Sequence, residues 1–461
     1  MNTNILGTTK NNPVLIFFSL MLFCVVMWID FFGVGVALPL IASEFSVSIN
    51  AVHWLVTLYA IGYVGFIITA TRLADKFGRK NLFLSLIILF LFASILVGFG
   101  TKFWIILLGR ILQGVSAGSL IVMIISFITY MFEGEQRTNW IGWLMGMSGI
   151  GMALGPIICG ILVNYFSWRS LFYINIPIAI IVFIISLIGL PNDTKSDKQI
   201  SFDIPGMILI CISISSFALV LSEESNWGAL SNKSIITHII WVVALLAFCW
   251  VESIQKNPLI HGKFFKYPNF LVANLIGVCI YFGLTSWMVL SSVYYASILK
   301  FTPMQVGFTF IPFGVACFIT NLFIPKINQK ISAKSGILLG IFIYVISFTW
   351  LATSIYFNWN IVLIALGAIG LGAAFTITNT LTIPLALAFF QASEINIGSG
   401  MVQMFRWIGA ALGAPIMSYV FLKNSTLLGQ AHGLTVSFSI VALIFLSVFI
   451  MSIVFLIKPG S

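Results

Sequence analysis

Fourteen stretches of this 461-residue chain are each long and apolar enough to cross a lipid bilayer, and short polar breaks separate them. They lie near 15–39, 52–73, 81–100, 103–131, 139–163, 170–190, 204–222, 235–253, 269–297, 305–325, 335–354, 359–389, 396–421 and 435–457. A spanning helix needs about 20 mainly apolar residues. Inside lipid its backbone polar groups must bond within the segment, because no water is there to bond them. Hydrophobic residues make up 60% of the chain and charged residues 7%, whereas ordinary soluble domains carry about 25% charge. The expected fold class is therefore an all-α membrane protein with fourteen transmembrane helices, and a soluble globular domain is excluded.

The net charge of +10 invites a nucleic-acid reading, but the placement of the basic residues argues against it. With a cytoplasmic N-terminus, fifteen of the 22 Lys and Arg residues fall on the inner side, among them Lys10, Arg72, Lys76, Arg79, Lys80, Arg137 and Lys198. Five fall outside: Lys102, Arg169, Lys233, Lys300 and Lys423. Arg110 and Arg406, within spans, complete the set. This bias obeys the positive-inside rule, and a miscounted helix would scramble it. The charge records orientation, with both termini cytoplasmic, and the expected partner is the bilayer rather than nucleic acid.

The six cysteines stand singly in apolar runs with no CxxC pair, and so read as small hydrophobes. The four histidines (His53, His238, His261 and His432) lack paired ligand spacing, so no metal site is expected. The first apolar run lacks a small-residue cleavage site and reads as a first span rather than a removed signal. No GxxxxGK[ST] phosphate loop occurs, so no nucleotide or other cofactor is expected. Transport by such a chain would draw on an ion gradient or run downhill.

The most polar internal segment, Pro191 to Asp203, separates six helices from a further pair, and Asn257 to Pro268 leads into the last six. The expected organisation is a six-helix bundle over 1–190, a connector with two extra helices over 191–256, and a second six-helix bundle over 257–461. Paired bundles around a central site are a common transporter plan.

Several motifs carry a more specific signal. Arg72-Leu-Ala-Asp75-Lys-Phe-Gly78-Arg79-Lys80 follows helix two, Arg110-Ile-Leu-Gln113-Gly114 lies in helix four, and Gly151-Met-Ala-Leu-Gly155-Pro156 lies in helix five. Trp168-Arg169-Ser-Leu-Phe172-Tyr-Ile-Asn175-Ile-Pro177 opens helix six, Asp30 to Pro39 lies in helix one, and Arg406-Trp-Ile-Gly409 lies in helix thirteen. In this order they resemble the major facilitator superfamily, in its fourteen-helix drug/proton antiporter branch. Departures are Thr71 for the first glycine of the loop motif, Cys159 for a glycine in helix five, and Phe32 and Gly35 for polar residues in helix one. The resemblance implies the major facilitator fold and a conformational role for Asp75, Gly78, Arg79, Lys80, Gln113, Gly114, Gly151, Gly155 and Pro156. Physically, Arg110, Gln113, Gly114 and Ala117 share one helical face. Glycines four apart permit close helix contact, and Pro156 removes a backbone donor and permits a bend.

Asp30 is the carboxylate placed well within a span; the other acids lie in loops or near helix ends. A buried carboxylate beside a cation can load and unload a proton as its surroundings alternate between wet and dry. The resemblance implies that Arg110 approaches helix one, making Asp30 and Arg110 the proton-coupling pair; a permanent ion pair that sets helix register is the competing reading. Candidate substrate contacts are Tyr63 in helix two, the helix-nine stripe Asn274, Tyr281, Thr285, Met288 and Ser292, Thr376 and Asn379 in helix twelve, and Arg406. Polar stripes in bilayer helices also serve as interhelical hydrogen bonds. Together these features point to a non-enzyme: a proton-coupled exporter of small amphipathic organic molecules in a bacterial inner membrane. A dedicated exporter of one metabolite, such as a siderophore, is the alternative, and a non-transporting membrane receptor or enzyme a more distant one.

The fourteen-helix map predicts a cytoplasmic position 198 and an external position 423. Single cysteines introduced as Lys198→Cys and Lys423→Cys should react with an impermeant thiol reagent from inside and from outside, respectively. External labelling of position 198 would overturn the map.

Overall fold

The computed structural model describes residues 13–132, 134–191, 203–228, 231–255, 258–391 and 394–456. Each expected span is a helix: α1 (Pro13–Phe45), α2 (Trp54–Phe77), α3 (Arg79–Phe99), α4 (Phe103–Met131), α5 (Gly134–Tyr165), α6 (Asn175–Gly189), α7 (Ile204–Trp227), α8 (Asn232–Ile254), α9 (Pro268–Val293), α10 (Ile311–Lys330), α11 (Ala333–Tyr356), α12 (Ile361–Ala386), α13 (Ile395–Leu428) and α14 (Gln430–Phe455). Among the described residues thirteen segments meet the length and apolarity of a membrane span, and the apolar part of α2, Trp54–Ala70, is shorter. Short helical turns at Ile49–Val52, Ser170–Tyr173 and Pro303–Thr309 lead into α2, α6 and α10, and a π-turn, Tyr294–Ile298, ends α9. Several helices run past their expected ends, α1 continuing through Pro39 to Phe45.

Helix starts are marked by side chains that accept the first free backbone N–H groups. Ser231, Ser332 and Asn360 cap α8, α11 and α12 in this way, and Thr302 with Gln305 forms a reciprocal capping box ahead of α10. Gly78 makes the turn from α2 to α3 at φ 89°, a backbone region in which a side chain is strained.

Lipid tails are as apolar as leucine, so packing between spans relies on close backbone approach rather than on expulsion of water. A Cβ on Gly114 of α4 would overlap the Tyr59 carbonyl of α2. On α5, a Cβ on Gly151 would come within 2.8 Å of the Val25 carbonyl oxygen, and one on Gly155 within 3.1 Å of Ile29 Cα, so both glycines seat α5 on α1. Gly409 and Gly413 of α13 seat against the Val278 and Phe282 carbonyls of α9 in the same manner.

Contacts are densest among α1–α6 and again among α9–α14. Between these sets, α7 and α8 pair with each other, and α7 lies against α2 and α13. The seam between the two sets is closed toward the end of the bundle that carries Ser48 and Trp168. There Ser292 donates to the Gly35 carbonyl at 2.5 Å, and His53 Nε2 lies 3.4 Å from Ser418 Oγ. Gly307 meets the Pro156 carbonyl, and Gly160 faces that of Pro303. At the opposite end, Arg72 donates to the Pro258 carbonyl at 3.1 Å, and Glu252 accepts from Leu259 and Ile260 N–H groups. Lys263 pairs with Glu394 at 2.6 Å, and its hydrogen bond holds the Glu394 carboxyl below the usual carboxylate range.

The α1–α5 contact leaves no room for a branched side chain. Gly155→Leu is expected to enter the membrane at the parent's level and to lose transport by at least tenfold, on the order of 1.4 kcal/mol or more. Near-normal transport by this variant at matched expression would reduce the glycine to ordinary helix sequence.

Candidate functional site

Asp30, midway along α1, is fully buried, and its two oxygens collect donors from two other helices. Arg110 Nη1 on α4 donates to Oδ2 at 2.6 Å. Asn175 Nδ2, the first residue of α6, donates to Oδ1 at 2.8 Å, and Gln113 Nε2 donates to the same oxygen at 3.2 Å. Ser94 Oγ on α3 accepts from the Gln113 amide at 3.0 Å and from Asn175 at 3.4 Å. Charge-assisted bonds of this kind are short and strong, and in a low-dielectric interior they weigh more than in water. Every donor points at the carboxylate, so this arrangement fits the ionised acid.

Arg110 is equally buried and reaches three ways. It donates from Nη1 to Gln113 Oε1 at 2.8 Å and from Nε to the Leu55 carbonyl at 3.0 Å. Its guanidinium carbon lies 4.5 Å from the centre of the Tyr59 ring, within cation–π distance. The Arg110-to-Gln113 face read from the sequence thus meets α1 and α2 together.

Tyr59 belongs to an aromatic cluster that crosses the seam. Trp407 of α13 stacks on Tyr63 of α2 with ring centres 3.9 Å apart and planes 19° apart. It lies 5.0 Å from Phe31 and 6.2 Å from Trp28 of α1, 5.9 Å from Tyr59 and 5.8 Å from Tyr281 of α9. These rings, without Tyr281, wall a cavity of about 20 Å³, room for roughly one or two waters. Trp407 was missed in the sequence, where it is simply the neighbour of Arg406. Its one available signal was the position four residues beyond Gln403, on the same face of the helix.

Arg406 sits 1% exposed with neutral partners only among the described residues. It donates to Gln403 Oε1 at 2.8 Å, to the Asn379 carbonyl at 2.6 Å and to Thr382 Oγ1 at 3.3 Å. Its Nε and the Asn379 and Asn274 side-chain oxygens are buried without partners. Asn379 therefore reaches Arg406 through its backbone, while its side-chain oxygen has no partner.

The remaining stripe residues serve helix contacts in this conformation. Thr285 donates to the Ala410 carbonyl of α13 at 3.1 Å, Asn274 to the Phe270 carbonyl, and Ser292 across the seam to Gly35, where Met288 also packs. Thr376 bonds the Gly372 carbonyl at 3.0 Å and that of Cys317, on α10, at 3.4 Å. In the loop motif, Lys80 donates to the Leu190 carbonyl at 2.8 Å, Arg79 is engaged, and the Asp75 side chain lies outside the described residues.

A family profile described as the Major Facilitator Superfamily matches residues 17–414. Multidrug resistance protein Stp of Mycobacterium tuberculosis is 26% identical over 397 residues, covering 86% of this chain and 73% of that protein. Riboflavin transporter RibZ of Clostridioides difficile is also 26% identical over 397 residues, covering 85% of this chain and 84% of its own length. The crystal structure of a D-xylose–proton symporter superposes with a TM-score of 0.74 at 13% identity, covering 98% and 99% of the two chains. That likeness is one of fold.

Removing one member of a buried ion pair strands the other. Arg110→Ala is expected to lower stability at pH 7 by about 3–5 kcal/mol, and Asp30→Asn added to it should restore most of the loss. Thermal unfolding in detergent micelles checks this; equal losses in the single and double variants would count against the pair as the source of the strain.

Proposed function

The chain belongs to the major facilitator superfamily, and from that premise we propose that it is a proton-coupled exporter of small amphipathic organic molecules. Like its relatives it is a transporter and not an enzyme, and it is an integral membrane protein. We place it in a bacterial inner membrane with both termini cytoplasmic, on the strength of its bacterial relatives and the bias of its basic residues. Residues 1–190 and 257–461 form the two rocking bodies, with the hairpin of 191–256 beside the seam. The loop from Asp75 to Lys80, with Gln113, Gly114, Gly151, Gly155 and Pro156, supports their motion.

One observation carries the coupling. Arg110 touches the Asp30 carboxylate on one side and the Tyr59 ring on the other, and Tyr59 meets Trp407 from the opposite body. Protonation of Asp30 would weaken its hold on Arg110, and that change reaches the aromatic seam through a single intervening ring. Cargo entering between the bodies would replace Trp407 as the partner of Tyr59, Tyr63 and Tyr281. Large rings with hydroxyl tips suit flat amphipathic molecules. The family's multidrug resistance protein and riboflavin transporter relatives support cargo of this kind.

A second reading is favoured by Arg406, a buried cation whose partners among the described residues are all neutral. An unpaired charge in a membrane core is costly, and a carboxylate or strongly polarised carbonyl on the cargo would offset that cost. This reading narrows the cargo to one endogenous metabolite of such chemistry. Asn274, Thr285, Met288 and Ser292 of α9 and Thr376 and Asn379 of α12 become available to cargo once their helices part.

Everted vesicles carrying the parent or Asp30→Asn, at matched expression, test both readings with riboflavin and with neutral and carboxylated aromatic cargo. Asp30→Asn should lose gradient-driven uptake by at least tenfold, on the order of 1.4 kcal/mol, while retaining downhill exchange. Full gradient-driven activity would remove Asp30 as the coupling group. Uptake restricted to carboxylated cargo would select the second reading.

A further inference from the structure

Asn175 is held where its amide can serve Asp30 in either protonation state. It opens α6, directly after the turn Ser170–Tyr173. That region is pinned at several points: Tyr173 donates to the Gly98 carbonyl at 2.9 Å, and Arg169 donates to the Gly100 carbonyl at 3.1 Å and pairs with Glu44 at 2.5 Å. The backbone at Asn175 is thus anchored while its side chain lies inside the bundle, fully buried. Its Nδ2 donates to Asp30 Oδ1, and its Oδ1 has no hydrogen-bond partner.

A buried amide oxygen without a partner costs free energy and calls for an explanation. The needs of Asp30 supply one. As a carboxylate it accepts only, and Arg110, Gln113 and Asn175 all present donors to it. Once protonated it carries an O–H that needs an acceptor. Gln113 Oε1 is already taken by Arg110. The Asn175 oxygen is unoccupied and belongs to the amide already bonded to Asp30.

We infer that Asn175 is a positioning residue for proton coupling, its amide donating to ionised Asp30 and turning over to accept from the protonated acid. A proton delivered by water when the seam opens adds to Asp30 Oδ1 and cancels its charge. Rotation of the amide by about 180° then replaces N–H···O⁻ with O–H···O=C, so the acid proton is not left without an acceptor. Release of the proton reverses the turn. The ionisable groups facing Asp30 are Arg110 on α4, Tyr59 on α2 and Cys159 on α5, while Ser94 and Asn175 represent α3 and α6. This inference rests on Asp30 as the coupling group.

Infrared difference spectroscopy of the full-length protein in lipid bilayers, titrated with pH and without cargo, tests it. The probe is the carboxylic-acid C=O stretch assigned to Asp30 by its absence in Asp30→Asn. In Asn175→Val the charge-assisted bond is lost, so the midpoint of this band should move up by about one pH unit, and the band itself should shift because the acid proton has lost its acceptor. Asn175→Thr, whose hydroxyl can both donate and accept, should stay within about half a unit of the parent. A parental midpoint and band in Asn175→Val would overturn the inference, as would Asn175→Thr shifting as far as Asn175→Val. If Asn175→Val does not fold, Asn175→Asp replaces it; a second carboxyl beside Asp30 should raise the midpoint by more than one unit, and an unchanged midpoint overturns the inference. Failure of the coupling reading has a different signature: Asp30→Asn keeps gradient-driven transport whatever the variants of Asn175 do.

Discussion

Lipid offers no hydrogen-bond partner to the peptide backbone, and the rest of this structure follows from that constraint. It forces each span into a helix whose N–H and C=O groups close on themselves. It also removes the drive that packs helices in water, so spans associate where glycines let one backbone rest on another. Gly114 on Tyr59, Gly155 on Ile29 and Gly409 on Val278 repeat this solution in both halves of the molecule. Because these contacts involve main chain, a single added Cβ disturbs them, unlike contacts between long side chains that can move aside.

Against that background, the two deeply buried arginines are handled differently. Arg110 has a carboxylate, one side-chain amide, a backbone carbonyl and an aromatic face around it, and all of these belong to α1–α6. Arg406 has a side-chain amide, a carbonyl and a hydroxyl, and no acid among the described residues. Protonation of Asp30 cancels one charge of the pair and leaves Arg110 to the neutral partners that already hold it, the Leu55 carbonyl, Gln113 and the Tyr59 ring. An unmatched cation leaves a standing demand for negative potential, which a ligand can meet. In the proposed reading the two halves carry different chemistry, one serving protons and the other cargo.

The link between them is aromatic. Trp407 leaves its own helix set and stacks among rings of the other, closing the centre of the seam, while Ser292, His53 and Gly307 close one end of it. Stacked rings slide and separate at modest cost, on the order of 0.5–1.5 kcal/mol per pair, so such a closure can open and re-form. Hydrogen bonds from side chains to backbone across the seam have the same reversible character, because water can replace the partner when the end opens.

The number of spans, their helical state and the isolation of Asp30 among apolar residues were legible in the sequence, because each depends on local composition and on the bilayer rather than on which helix lies beside which. The approach of Arg110 to helix one was expected from family resemblance, and the structure brings the two side chains together. Residue spacing alone could not place Asn175, which is 145 positions from Asp30 and was seen only as part of the motif opening helix six. Trp407 was passed over for a related reason: a tryptophan in an apolar run is unremarkable until the opposite bundle supplies Tyr63 and Phe31. The helix-nine stripe reads from sequence as a row of candidate substrate contacts, yet in this conformation Thr285 and Ser292 bond to neighbouring helices, since periodicity identifies a polar face but not what it meets. Sequence by itself determined how many helices there are, where they run and which charges they bury. Only the tertiary structure decided which of those groups touch, because contacts between distant spans depend on the rotation and depth of each helix in the bundle, and no local pattern encodes either.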